Sequence, residues 1–225
     1  MTNPELELIE LLPITTSPPT PIVLALAKHG LRDLKPAEEF KIPRLLLNAI
    51  IRDEGLGDVC TAVNNALDSC AAYQRWQKSM PRLASVPQIR AYRTNDHHMD
   101  PFAVNQEVLI HGGYLQAGQI LYRGGTFTSA SIVISDGPVS TSMHPKVALW
   151  HACKHSGQIA ILRIAGARSV KGFVYRTTGN QNLKQEYEVL LQNHLWLEQS
   201  SIYCVNNLQV ISYEVYPQNA KHPDA

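Results

Sequence analysis

The run Gln185-Glu186-Tyr187-Glu188-Val189-Leu190-Leu191 sets two carboxylates two residues apart at the head of an apolar stretch. Alternate residues of a strand share a face. On a strand, Glu186, Glu188 and Leu190 therefore point one way, and Tyr187, Val189 and Leu191, a core face, point the other. Both glutamates are expected opposite the core, where an isolated acid pair is ordinarily solvated. Paired carboxylates can also move a proton or stabilise a cationic centre. Two further pieces precede them in the chain. Leu121-Tyr122-Arg123-Gly124-Gly125 ends a predicted strand with an arginine, and Val139-Ser140-Thr141-Ser142 stands before a helix predicted to start at Pro145. An arginine can grip phosphate with a bidentate fork, and hydroxyls can orient a carboxylate.

Each piece also has a plain structural reading. Arg123 alone reads as a strand-end surface arginine, and Arg93 and Arg176 also follow a tyrosine, so Tyr-Arg itself discriminates nothing. Ser140–Ser142 reads as the cap region of the Pro145 helix. Cys60, Cys70, Cys153 and Cys204 lack Cys-x-x-Cys spacing, so a zinc site is not expected and isolated thiols are the simpler reading of Cys60 and Cys70. His97-His98, near Asp96 and Asp100, lack a third ligand at a suitable spacing. His144, His151 and His155 form no His-Glu-x-x-His motif and read as surface or packing residues. Trp76, Trp150 and Trp196 read as core, as do Phe127 and Phe173, which would otherwise be candidates to stack on a planar ligand.

The elements that must position these residues divide the chain into two halves of different character. Residues 1–95 read as helical: Asn3-Pro4-Glu5 resembles a helix start, Ser17-Pro18-Pro19-Thr20-Pro21 is a break, and 22–31, 37–51 and 59–79 carry helical spacing. Pro81 closes this region, and Ser85-Val86-Pro87 reads as a connector. Asp100-Pro101 then opens a helix expected to reach Ile110 and stop at Gly112-Gly113. Strands are predicted over 119–123, 158–164, 172–175, 187–191, 201–205 and 210–216, with a helix over 145–155 between the first two. Helices lead and strands follow, an α+β pattern.

The 225 residues carry 20 Lys+Arg against 19 Asp+Glu, a net charge of +1 that speaks against binding a polyanion by bulk charge. No apolar run is long enough to span a membrane. Glu5, Glu7 and Glu10 replace the basic start of a secretory signal. Neither a Gly-x-Gly-x-x-Gly after a strand nor a Walker A sequence is present.

The order arginine, then Ser-Thr-Ser, then Glu-x-Glu resembles the R-S-E class of mono-ADP-ribosyltransferases, the group that includes the actin-modifying binary toxins and cholera toxin. Glu186-Tyr187-Glu188-Val189-Leu190-Leu191 looks like the glutamate strand of the binary-toxin branch, and Ile161-Leu162-Arg163-Ile164 like the strand leading towards it. The resemblance covers about residues 101–217. It implies an ADP-ribosyltransferase-like mixed two-sheet β core with flanking helices over residues 96–225, preceded by a helical N-terminal region over 1–95 of open role.

The resemblance also assigns roles. Arg123 would bind NAD through phosphate and ribose, and Gly124 would let the nicotinamide amide approach the backbone. Ser140 would orient Glu188 and contact the nicotinamide ribose, with Thr141 and Ser142 shaping the strand beneath. Glu188 would be the catalytic carboxylate, bonded to the ribose 2′-hydroxyl, and Glu186 would position or activate the acceptor. The segment 176–185 would be the loop that meets the target. NAD is implied as substrate, with no metal. A first glutamate, in place of glutamine, resembles the branch that modifies arginine side chains, so a protein acceptor is expected. An NAD glycohydrolase, a nucleic-acid acceptor and a non-enzymatic binding module are the alternatives. The resemblance points to a bacterial or phage toxin or effector, cytoplasmic or secreted without a signal peptide, with residues 1–95 available to an inhibitor or delivery partner.

Overall fold

The computed structural model describes residues 3–11, 22, 25, 41–94, 99–128, 130–155, 157–166, 169–176 and 186–218. The Pro-rich break, most of the helix expected over 22–31, His97-His98, the boundary expected near residue 95 and the loop 177–185 lie outside them.

Six α-helices and ten strands are found among the described residues. The first three helices are α1 (Lys41–Arg52), α2 (Asp58–Ser69) and α3 (Ala71–Ser79). They bury Leu46, Leu47 and Ile50, then Val59, Val63 and Leu67, then Tyr73 and Trp76, each set at helical spacing. The helix expected over 59–79 is two, because Cys70 is extended and its Sγ accepts from the Tyr73 N–H at 3.5 Å. Ser69 helps end the first by turning its hydroxyl back to the Asn65 carbonyl at 2.7 Å. Pro87, expected in a connector, instead takes the first position of α4 (Pro87–Arg93), where its missing N–H costs nothing. In α5 (Pro101–His111) the Asp100 carboxylate accepts from Phe102 N–H at 2.9 Å, as its sequence predicts. The last helix, α6, is Pro145–His155.

The strands are β1 (Glu5–Leu6), β2 (Gly113–Leu115), β3 (Ile120–Gly124), β4 (Ile132–Ile134), β5 (Val139–Ser142), β6 (Gln158–Ile164), β7 (Lys171–Val174), β8 (Glu188–Leu191), β9 (Leu195–Val205) and β10 (Leu208–Pro217). They form one hydrogen-bonded sheet in the order β1-β2-β7-β8-β5-β3-β6-β10-β9-β4. Five strands stand on each side of the β5–β3 junction, and that junction is registered at the single pair Tyr122–Ser142. The arrangement is α+β, with two five-strand blocks joined at a narrow seam.

Asn3-Pro4-Glu5 does not start a helix. The Pro4 carbonyl accepts from Tyr114 N–H at 2.9 Å, and β1 runs parallel to β2 at the sheet edge. Asn3 spends its side-chain amide on carbonyls at the end of α5, including that of Gly112 at 2.7 Å. Helices α1 to α5 and the sheet share one buried cluster, which includes Leu46, Leu67, Trp76, Ile89, Val108, Leu162, Phe173 and Ile211. Trp150, expected in the core, is 57% exposed on α6.

Candidate active site

The seam between the two blocks brings the three sequence pieces together. β5 lies between β8 and β3, so Ser142 pairs Glu188 on one side and Tyr122 on the other, and Ser140 pairs Leu190. The Ser140 hydroxyl donates to Glu188 Oε1 at 2.6 Å. Arg123, next after Tyr122, donates from Nη1 to the Ser140 carbonyl at 2.6 Å. The arginine thus braces the serine backbone while the serine side chain holds the carboxylate.

The other two hydroxyls do different jobs. Thr141 Oγ1 donates to the Val189 carbonyl at 2.6 Å, tying β5 to β8. Ser142 Oγ donates to the Glu186 carbonyl at 2.6 Å and accepts from His144 N–H at 2.9 Å. It therefore pins the turn that carries Glu186 and serves the approach to α6. His144 is buried and its pKa falls to about 4 by desolvation. Its Nδ1 accepts from Lys146 N–H at 3.0 Å, which leaves the ring proton on Nε2 facing Cys60 Sγ at 3.9 Å.

Glu186 and Glu188 do not sit on one face of one strand, as alternation predicts. β8 begins at Glu188, and Tyr187 is left-handed with φ 44°. For a bulky side chain that conformation is strained, and it persists because the ring is held on several sides. Tyr187 Oη donates to Asp68 at 2.9 Å, and its ring lies 5.7 Å from His144 and 5.9 Å from Tyr73. The reversal at Tyr187 leaves Glu186 in the preceding turn, half-buried.

Nor is Glu188 on an open face. The helical half of the chain covers it. Arg93, at the C-terminal end of α4, brings Nε to 3.7 Å from Glu188 Oε2, and the two side chains are 9% and 11% exposed. The Arg93 guanidinium lies 4.3 Å above the Tyr175 ring. Its neighbour Tyr92 donates to the Pro138 carbonyl at 3.3 Å, just before β5. Helix α4 is itself anchored from α5, whose Glu107 carboxylate accepts from Gln88 and Ile89 N–H at 3.2 and 2.8 Å.

Burial dominates the electrostatics. It pushes the Glu188 carboxyl up to about 7, against the Ser140 hydrogen bond and the Arg93 and Arg123 charges, with Glu186 adding to the rise. Glu186 is also raised, by burial first and against Arg93. The site therefore holds a carboxyl that titrates near neutrality, with a second raised carboxyl beside it, in an environment where small changes of charge decide ionisation.

Gly124 has a structural reason to be glycine. A Cβ there would overlap the Ala148 carbonyl oxygen and lie 2.6 Å from Ala152 N, because α6 packs directly on β3. Gly125 has open space instead. Arg176, the described end of the expected target loop, donates to the Gln77 and Lys78 carbonyls at 2.9 and 2.8 Å, closing the C-terminus of α3. Phe173 is fully buried, and the Phe127 ring packs 6.2 Å from Tyr213. Arg93 and Tyr175 are the site residues that sequence reasoning missed. Arg93 stands in a Tyr-Arg pair like two others, and only the fold distinguishes it.

Among the described residues no group of three or more metal-ligating side chains occurs. No described helix is long and apolar enough to cross a membrane.

No protein-family model and no curated protein matches the chain. Solved structures of similar outline are ADP-ribosyltransferases. The Vis toxin from Vibrio splendidus is 13% identical, with 84% of this chain and 89% of that chain covered at a TM-score of 0.41. Exoenzyme S from Pseudomonas aeruginosa, bound to carba-NAD in complex with human 14-3-3 protein beta, is 15% identical over 77% of this chain and 88% of that one, at 0.37. C3larvin from Paenibacillus larvae is 14% identical over 64% and 90%, at 0.35. These are likenesses of outline, and the chemistry is read from the side chains.

Proposed function

We propose that the chain is an NAD-dependent mono-ADP-ribosyltransferase that transfers ADP-ribose to an arginine side chain of a protein. The observation that carries this reading is the contact of Ser140 Oγ with Glu188 Oε1 at 2.6 Å, braced by Arg123 on the Ser140 carbonyl. It joins a carboxylate, a hydroxyl and a guanidinium from three separate strands in one partly enclosed place. Those are the groups needed to hold a ribose hydroxyl, stabilise a cationic sugar and neutralise a phosphate.

In the proposed reaction the bond between the nicotinamide nitrogen and ribose C1′ breaks, and its electron pair leaves with neutral nicotinamide. The positive charge left on the sugar is stabilised by ionised Glu188. An acceptor guanidinium nitrogen then bonds to C1′ and loses a proton. Glu186, half-buried and raised by burial, serves as the base for that proton. Ser140 keeps the Glu188 carboxylate aimed, and Arg123 holds β5 in place and binds phosphate. Thr141 and Ser142 act through the backbone of β8 and its preceding turn. The polypeptide before α5 would serve this chemistry through α4 and also meet a target, inhibitor or delivery partner.

The test is nicotinamide release from NAD, with and without cell lysate, for the wild type and Glu188→Gln. Release that depends on Glu188 and rises with lysate supports transfer. Glu188-dependent release that ignores lysate identifies a glycohydrolase. Protease or RNase treatment of the lysate separates a protein acceptor from a nucleic acid. No release under any condition removes the proposal. Glu186→Ala should lose transfer more than hydrolysis, and equal losses would contradict its assignment to the acceptor.

A further inference from the structure

Ser140 binds only one oxygen of the Glu188 carboxylate. The other, Oε2, faces Arg93 from a different half of the chain. At 3.7 Å from Nε this is an ion pair without a direct hydrogen bond, so it acts by charge. The guanidinium is held in place, because its Cζ lies over the Tyr175 ring at 4.3 Å and the side chain is almost enclosed. Its helix is fixed at the far end by Glu107. Arg93 is therefore presented to Glu188 by a chain of contacts that begins on α5.

We propose that Arg93 is a positioning residue for Glu188: clamped over Tyr175, it holds Oε2 while Ser140 holds Oε1, and keeps the carboxylate aimed and charged. The proposal rests on the reading that Glu188 is the reacting carboxylate. Among the described residues, the charged groups that face Glu188 are Arg93 from α4, Arg123 from β3 and Glu186 from the preceding turn. Among the described residues Tyr73, Tyr92 and Tyr175 also neighbour it, all of them raised by burial and neutral near pH 7. Arg93 is the cation whose pairing with the carboxylate is closest, and no other described lysine or arginine forms an ion pair with it.

The experiment follows the Glu188 carboxyl directly, by carbon-13 NMR of full-length protein labelled at glutamate Cδ, with Glu188→Gln to assign the resonance. In Arg93→Met the titration midpoint should rise by about one unit or more, the effect of losing an opposite charge within 4–6 Å. Nicotinamide release should then fall about fivefold or more at pH 7 and recover most of the loss by pH 9, since only the ionised fraction has changed. Arg93→Lys should shift the midpoint less than Arg93→Met. Arg93→Gln carries the same test should the methionine variant fail to fold by circular dichroism. An unmoved midpoint in a folded variant overturns the proposal, as does a loss of release that is equal at every pH. Faster release in Arg93→Met at all pH values would also overturn it and make Arg93 a plug. If the wild type releases no nicotinamide, the reading of Glu188 as a reacting group falls, and the NMR midpoint still decides whether Arg93 holds it.

Discussion

Two halves of the chain meet at Glu188, and they reach it by different means. Arg123, Ser140 and Glu188 stand on adjacent strands, where ladder register places each within a hydrogen bond of the next. Tyr92 and Arg93 stand at the end of a seven-residue helix, placed by contacts with α5, Pro138 and Tyr175. The strand half supplies the groups of the proposed chemistry. The helix half supplies the enclosure, and enclosure raises the carboxyl towards neutrality. Strands give precise spacing with little help from elsewhere, whereas a short helix is only as well placed as its anchors.

The largest expected effect breaks the strand half. Glu188→Gln should lower nicotinamide release by about 10³-fold or more, because a charge aimed at the transition state is lost. The same change should raise stability at pH 8. Burial lifts the native carboxyl from 4.5 to about 7, so the native state keeps a proton that the unfolded chain releases. Stability therefore falls as pH rises from about 4.5 to 7, by at most about 3 kcal/mol, and stays lower above that range. Thermal melts should show Glu188→Gln more stable than wild type at pH 8 and alike at pH 4. A variant less active yet no more stable at pH 8 would mean that the helical cover does not bury the carboxyl as described.

Ser140→Ala should come next, with a loss of about 10- to 100-fold at pH 7, the worth of a hydrogen bond to a charged group. The rising limb of its pH–rate profile should move up, because that bond lowers the carboxyl. A pH-independent loss would mean that Ser140 serves the ribose alone.

Much of the strand half could be read in the sequence, and the reason is physical. Gln158–Ile164 and Leu208–Pro217 carry β-branched and aromatic runs between turn residues, and Pro145 marks the start of α6. Arg123, Ser140 and Glu188 of the order arginine, Ser-Thr-Ser and Glu-x-Glu stand on neighbouring strands, with Glu186 in the turn before the last. β2 and β4, three residues each, are too short to carry a pattern, and they exist because longer neighbours pair with them. The left-handed Tyr187 was illegible for another reason: its strain is supported by Asp68, His144 and Tyr73, more than 40 residues away or more than 100. Arg93 was illegible because a tyrosine precedes Arg93, Arg123 and Arg176 alike. One pairs with a carboxylate, one braces a strand and one closes a helix, and only tertiary placement separates them.

Smaller effects should sharpen the division. Glu107→Gln removes the negative charge at the start of α4 and keeps the shape. It should cost about 0.5–1 kcal/mol in denaturant melts. Release should fall only a few-fold, with the limb moving up slightly as α4 and Arg93 loosen. An effect on release as large as that of Ser140→Ala would mean that the helix half takes part in the chemistry.

Arg176→Ala should do least to the reaction. Its guanidinium donates to the Gln77 and Lys78 carbonyls at the end of α3 and so secures the helix that carries Tyr73 and Trp76. Losing those bonds should cost about 1–2 kcal/mol. Because Arg176 pairs with carbonyls and not with Glu188, the limb near pH 7 should stay where it is and release should remain within about twofold of wild type. Measured beside Arg93→Met, it asks whether two arginines that both join the helical half to the strands differ in kind. A shift of the pH limb in Arg176→Ala would show that any loosening of the helical cover moves the carboxyl. The special place of Arg93 would then dissolve into general burial. An unmoved limb with a lower melting point would leave charge, delivered by one side chain, as what the helix half adds.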